Sequence, residues 1–269
     1  MNEQFDISVM FPSRERPEGL KKCIFSLLDK AKDPTRIEIL VGLDSDDLIN
    51  QEEFQNVIAP NLDERGVTYT AILFPPIGYG LLHEYVNKLS AESHARWIMM
   101  WNDDAVMITE NWDEVVLGYD GEFALLRAES NNEHPYAIFP IVPRKWVDIV
   151  GHFSMHSLND AWVSQIGYLL DIVVTIPVYA IHDRADLTGN NKDDTYKNRT
   201  IFEGNPRDPR DFNHHDYRLK RFQEAAKLQN HLASIGKSSE HFLGVLNGTN
   251  PDPWAKMLAL DKNNLMKKY

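Results

Sequence analysis

Apolar runs in this chain stop repeatedly at carboxylates. Trp97-Ile98-Met99-Met100-Trp101 ends at Asn102-Asp103-Asp104, and Ile37-Glu38-Ile39-Leu40-Val41-Gly42-Leu43 runs into Asp44-Ser45-Asp46-Asp47. A third run, Ile172 to Ile181, ends at His182-Asp183. Adjacent carboxylates repel and keep their charge cheaply only beside a cation, so Asp103-Asp104 points to a divalent metal with oxygen ligands. Taken singly, each cluster also suits a solvated strand-to-turn transition, because Asn and Asp are ordinary turn residues. Repetition at several strand ends is what gives the metal reading weight.

Such residues need a frame that carries them to one edge. Phe5 to Phe11 alternates and is rich in β-formers, and a helical period follows at Leu20, Cys23, Ile24, Leu27 and Leu28. Pro17 suits the first turn of that helix, where its missing N–H costs nothing. Between strand and helix lies Pro12-Ser13-Arg14-Glu15-Arg16, where the guanidinium forks of Arg14 and Arg16 and the helix-start N–H groups could meet a pyrophosphate. Ile37 to Leu43 reads as a second strand, a helix carries Phe54, Val57 and Ile58, and Val67 to Phe74 reads as a third strand. The loop Pro75-Pro76-Ile77-Gly78-Tyr79-Gly80 leads into a helix from Leu81 to Ala91 that carries Asn87. Its glycines permit close approach of backbone to a ligand. Trp97 to Trp101 is then a fourth strand, buried on both faces. This alternation predicts an α/β fold with a mostly parallel central sheet flanked by helices. Ligands bind at the C-terminal strand ends of such sheets, where the acidic clusters fall.

After Asp104 the pattern loosens. A short helix is expected over Asn111 to Gly118, strands over Phe123 to Arg127 and Ala137 to Val142, and a helix from Pro143 to Val150. Asn159-Asp160 heads a helix to Leu170, although Asn and Asp are also preferred helix caps. Arg184 to Asn213 is polar and long enough to predict a lid or disordered loop. His214 to Ile235 reads as an amphipathic helix with Tyr217, Phe222, Ala225, Leu228, Leu232 and Ile235 on one side. The expected organisation is therefore one unit over residues 1–183, a flexible loop or lid over 184–213, and a helical extension over 214–269 packed on the same domain.

A chain of 269 residues buries one large core and requires no second. With 28 Lys plus Arg against 40 Asp plus Glu, the net charge of -12 argues against a nucleic-acid or anionic-membrane surface. Any phosphate ligand must then be held locally, by a metal, by arginines or by helix-start N–H groups. The opening Met-Asn-Glu-Gln-Phe-Asp lacks a basic-then-apolar leader pattern, and no apolar run is long enough to span a bilayer, so a cytoplasmic location is expected. The single cysteine, Cys23, falls on the apolar face of its helix and reads as core.

In this order the pieces resemble GT-A-fold (Rossmann-like) glycosyltransferases, similar to the family-2-like enzymes that use nucleotide-sugar donors. The resemblance covers roughly residues 5 to 183 by order of elements. It rests on Val9-Met10-Phe11-Pro12-Ser13-Arg14, Gly42-Leu43-Asp44-Ser45-Asp46-Asp47, Gly80 through Asn87, and Asn102-Asp103-Asp104 as a DxD-type motif. It implies a nucleotide-sugar donor, UDP-linked by preference, and a hydroxyl acceptor. The donor site would draw on Pro12, Ser13, Arg14, Arg16, Asp44, Asp46, Gly80, Asn87, Asn102 and Asp103. Asp104 and His182 would hold the metal, a mixed oxygen and nitrogen set that favours Mn2+ over Mg2+ only mildly. Asp160 stands where such families carry the catalytic base. Two positions depart from the family pattern: Asn102 replaces the first Asp of the motif, and Asn159 replaces the commoner Glu before Asp160. Two other readings share these features. A nucleotidyltransferase would use a glycine-rich, Arg-containing first turn that is missing here, and a non-catalytic nucleotide-sugar or glycan-binding protein would tolerate Asn102 and Asn159. A homo-oligomer through the C-terminal helices is compatible with either.

Overall fold

The computed structural model describes residues 5–132, 134–188 and 207–252. Strands β1 (Phe5–Ser13) and β2 (Ile37–Asp44) are buried along nearly their whole length, as expected of apolar segments covered on both faces. β3 (Thr68–Phe74), at the sheet edge, is half exposed. β4 (Ala95–Met100) lies on the other side of β1. These four are parallel, in register from Ile7↔Ile37 to Ser13↔Leu43 and from Phe5↔Ala95 to Met10↔Met100. Ser13, Asp44 and Asn102 therefore emerge at one edge.

Beyond β4 the sheet turns mixed. β7 (Pro140–Pro143) runs antiparallel to β4, β6 (Leu125–Ser130) antiparallel to β7, and β8 (Val173–His182) parallel to β6. The short strand β5 (Ala105–Met107) closes the far edge antiparallel to β8, giving the order β3-β2-β1-β4-β7-β6-β8-β5. The result is the mostly parallel, helix-flanked α/β sheet expected from the sequence. The strand expected over Ala137 to Val142 is shorter because Ala137 N–H goes to Ser164 Oγ at 2.9 Å instead of to a ladder partner. The strand expected over Phe123 to Arg127 lies two to three residues later in the chain.

Helices α1 (Pro17–Lys30), α2 (Leu48–Glu53) and α3 (Ala59–Glu64), the last two joined by a π turn over Phe54–Ile58, pack on one face together with α5 (Trp112–Leu117). The opposite face is covered by α4 (Leu82–Glu92), α6 (Arg144–Val150), α7 (Asn159–Leu169) and α9 (His215–Ser234), with α10 (Glu240–Leu246) against α7. The four-residue α8 (Ala185–Thr188) follows β8. Each fully buried Leu or Ile contributes roughly 1.5–3 kcal/mol, so these two cores dominate stability. Cys23 and the helical set around it are core, as their spacing predicts. On α9, Ala225, Leu228 and Leu232 are buried, but Ile235 is exposed because the helix stops at Ser234. Two charged residues, Arg221 and Glu224, are buried in its inward face. Of the tract expected as a lid, 189–206 lie outside the described residues, as do 253–269 of the extension. Among the described residues, no helix is long and apolar enough to cross a membrane.

Candidate active site

The loop after β1 gathers the acidic clusters. Ser13 Oγ donates to Asp103 Oδ2 at 2.7 Å and accepts from Asn50 Nδ2 at 3.0 Å. Arg16, the N-cap residue of α1, places Nη1 2.9 Å from Asp103 Oδ1 and 3.0 Å from Asp104 Oδ2. Arg14 is bound by Asp44, and its Nη1 reaches Asp46 Oδ1 at 2.7 Å. The Tyr85 hydroxyl also donates to Asp44. Asp47 caps α2 through Asn50 N–H at 3.2 Å and accepts Glu15 N–H at 2.6 Å, fixing the loop from below. Both loop arginines thus rest on carboxylates of the same edge. Pro12 continues the β1 ladder opposite Gly42.

The chain returns from Asp104 into β5, which pairs with the end of β8 so that Ala105 stands opposite His182. This register, with Asp183 N–H on Asp104 O at 2.7 Å, brings together residues nearly eighty apart in sequence. Asn131 pins His182 by its backbone, accepting from N–H at 2.7 Å and donating to O at 3.2 Å. His182 Nε2 lies 3.1 Å from Asp104 Oδ1 and 3.3 Å from Asn102 Nδ2. As a neutral imidazole with its lone pair on Nε2, His182 offers a nitrogen ligand beside the Asp104 carboxylate oxygen. Asp104 Oδ1 accordingly receives no aligned hydrogen bond although it is buried. Two acceptors side by side, one imidazole and one carboxylate, fit a divalent cation. Burial, with the charge of Asp104, pushes Asp103 up to about 6 against the pull of Arg16 and Ser13. Burial also acts on Asp104, but the His182 imidazole in its protonated form, donating to it, and Arg16 outweigh burial and hold that carboxyl below its ordinary value. Buried carboxylates at the opposite strand ends are spent on structure. Arg36 and Arg96 hold Asp6, and Glu38 accepts from Ser8 Oγ and His94 N–H.

Gly80 is exposed in a single turn (Tyr79–Leu81), and the glycine whose backbone requires the left-handed region is Gly78, at φ 75°. Asn87 gives its side chain to the loop at Phe153 and Ser154. Asp160 is half-buried in the first turn of α7. It is not a cap: the N-cap residue is Leu158.

Sequence reasoning missed Gly19. A Cβ there would lie 2.5 Å from Asp103 O, so α1 touches the backbone of the acidic loop. The available signal was a glycine inside a helical period, costly unless close packing needs it. His214, His215 and Asp216 also bring donor atoms within 4.8 Å of one another. They sit at the start of α9, where the helix dipole opposes a cation, and His214 Nδ1 already accepts Asp216 N–H. A cavity of about 340 Å³ lined by Asp63, Gly66, Val67, Thr68 and Tyr69 lies at the N-terminal end of β3, away from the acidic edge.

No protein-family model matches the sequence, and no curated protein sequence matches it. The fold is shared with the mannosyltransferase PcManGT from Pyrobaculum calidifontis in complex with GDP-Man and Mn2+, at TM-score 0.58 and 11% identity over 96% of this chain and 75% of that one. It is shared also with S. aureus TarS, at TM-score 0.51 and 12% identity over 67% of this chain and 37% of that one. For TarS 1-349 in complex with UDP-GlcNAc the values are 0.53 and 13%, over 84% of this chain and 67% of that one. At these identities the likeness establishes the fold, a GT-A-type nucleotide-sugar-transferase fold. The match spans 37% of the longer TarS chain.

Proposed function

We propose that this chain is a metal-dependent glycosyltransferase that moves a sugar, a hexose by analogy, from a nucleoside-diphosphate donor to a hydroxyl acceptor. The observation that carries the reading is the buried Asp104 Oδ1 without a hydrogen bond beside His182 Nε2. Asp104 and His182 would hold Mn2+ or Mg2+, and such a cation supplies neutralisation of the charge that develops on a departing diphosphate. The fold shared with a mannosyltransferase in complex with GDP-Man and Mn2+ supports this. UDP remains the favoured nucleotide on the family resemblance. Ser13, Arg14, Arg16, Asp44 and Asp46 border the donor site, with the two arginines available to a diphosphate once it competes for them. Asp160, half-buried in the first turn of α7, takes the proton of the attacking hydroxyl. Residues 1–183 form the catalytic unit in this reading, and the helices after 214 brace it.

The test is calorimetric titration of UDP and GDP with and without Mn2+, and product analysis with UDP-, GDP-, ADP- and TDP-glucose. Asp104→Asn should abolish Mn2+-dependent nucleotide binding; unchanged affinity would remove the central element. Asp160→Asn should leave nucleotide affinity intact and lower turnover by roughly 100-fold. Release of nucleotide from a donor sugar without acceptor separates a transferase from a binding protein of the same fold.

A further inference from the structure

The side chain of Asn87 is committed to a loop on the other side of α4. Its Oδ1 accepts from Phe153 N–H at 2.9 Å and Ser154 N–H at 3.0 Å, and its Nδ2 donates to Ser154 O at 2.7 Å. That uses both acceptor positions and one of the two donors an amide possesses. From Ser154 the bonds continue toward α7. Ser154 Oγ donates to His156 O at 2.9 Å and accepts His156 N–H at 3.2 Å. His156 Nδ1 accepts Leu158 N–H at 3.1 Å. Leu158 is the N-cap residue of α7, and Asp160 stands two residues on. The links are buried, with Ser154 inaccessible and His156 6% exposed, so water does not substitute for them cheaply.

We propose that Asn87 is a positioning residue: it fixes the Phe153 to Leu158 loop and, through Ser154 and His156, the first turn of α7 on which Asp160 is carried. This rests on the function proposed above. The helix that holds Asn87 starts directly after the turn at Gly78 to Leu81, so one rigid element ties the loop beside the donor edge to the helix of the base. A polar side chain on α4 that served packing alone would not need three bonds to one two-residue segment. A shift of about 1 Å in a reacting group is enough to cost roughly 100-fold in rate, so a loop clamp of this kind acts on turnover while leaving donor affinity alone.

Asn87→Ala removes all three bonds, Asn87→Asp keeps the two acceptors, and Ser154→Ala breaks the next link without touching α4. Each variant is measured for kcat and KM with the nucleotide-glucose probe the wild type processes, for nucleotide Kd with Mn2+, and for amide hydrogen exchange at Leu158 and Trp162. Asn87→Ala and Ser154→Ala should lower kcat roughly 10- to 100-fold with KM and Kd within about twofold, and should speed exchange at Leu158. Asn87→Asp, which sets an oxygen against Ser154 O where Nδ2 donated, should also lower kcat with KM and Kd retained. Unchanged kcat in folded variants overturns the proposal, and so does a rise in KM or Kd in place of a fall in kcat, which would put Asn87 on the donor. If the wild type processes none of the four probes, the functional reading fails by itself. Exchange then decides the clamp: retained protection at Leu158 in Asn87→Ala overturns it, and lost protection supports it.

Discussion

Gly19 offers the sharpest perturbation of the acidic edge, because it acts on Asp103 without altering a charge. A Cβ at this position would lie 2.5 Å from Asp103 O, whereas ordinary contacts begin at 3.4 Å, so α1 and the loop must separate by 3.4 minus 2.5, about 0.9 Å. The neighbour is backbone, so no side chain can rotate out of the way. Overpacking of this kind costs roughly 1–3 kcal/mol, while replacing a helical glycine by alanine returns roughly 1 kcal/mol. The net change in stability should be a loss of about 0–2 kcal/mol. The larger effect falls on function. Asp103 is held by Ser13 at 2.7 Å and by Arg16 at 2.9 Å, and neither bond survives a displacement approaching 1 Å in place. Gly19→Ala should therefore weaken Mn2+-dependent nucleotide binding by roughly 10- to 100-fold in a protein that still unfolds cooperatively. Calorimetric titration and thermal unfolding read the two effects separately. A variant that binds nucleotide normally and is about 1 kcal/mol more stable, as helix propensity alone requires, would refute the idea that α1 sets the position of Asp103.

Two further outcomes follow from the same edge and from its neighbour loop. Arg16→Gln should bind Mn2+ in the absence of nucleotide more tightly than the wild type, by roughly tenfold, because a charge-assisted hydrogen bond worth about 1.5–3 kcal/mol no longer occupies Asp103 and Asp104. Titration with Mn2+ alone checks this, and unchanged or weaker affinity would mean that the guanidinium does not compete with a metal. Burial, joined by the charges of His83 and Arg221, lowers the His156 pKa, against the Arg210 carbonyl that accepts its Nε2 and the charge of Asp211. The unfolded chain then takes up the proton first, so stability is full above about pH 6.5 and declines as pH falls below it. Thermal unfolding from pH 8 to pH 5 should show that decline, with a shallower slope in His156→Gln; equal slopes would assign the pH dependence elsewhere.

The first half of the fold is legible because its strands are long apolar runs buried on both faces, and periodicity marks both their extent and the helices between them. Ser13, Asp44 and Asn102 reach one edge simply because parallel strands in register end together. Beyond Asp104 this logic fails. β5 has three residues, too few to display a period, yet its pairing with β8 is what brings His182 to Asp104. Arg221 and Glu224 occupy the inward face of α9 because Trp162 Nε1 donates to Glu224 at 2.9 Å and the Arg221 guanidinium lies 4.1 Å from the centre of the Phe212 ring. Composition marks both as surface residues, and only the tertiary partner explains their burial.

Two adjacent carboxylates demand a cation, a requirement readable in Asp103-Asp104, but the sequence does not say who meets it. Arg16 meets part of it from within the chain, bonding Asp103 and one oxygen of Asp104 and leaving Asp104 Oδ1 to His182. A diphosphate that draws Arg16 toward itself takes the pair's own cation away, and a divalent cation then has more to neutralise than it had before. Nucleotide and metal should consequently bind with positive coupling, each tightening the other by the same factor, since a coupling free energy is shared by both ligands. In Arg16→Gln that coupling should shrink, because nucleotide then has no guanidinium to draw away from the pair.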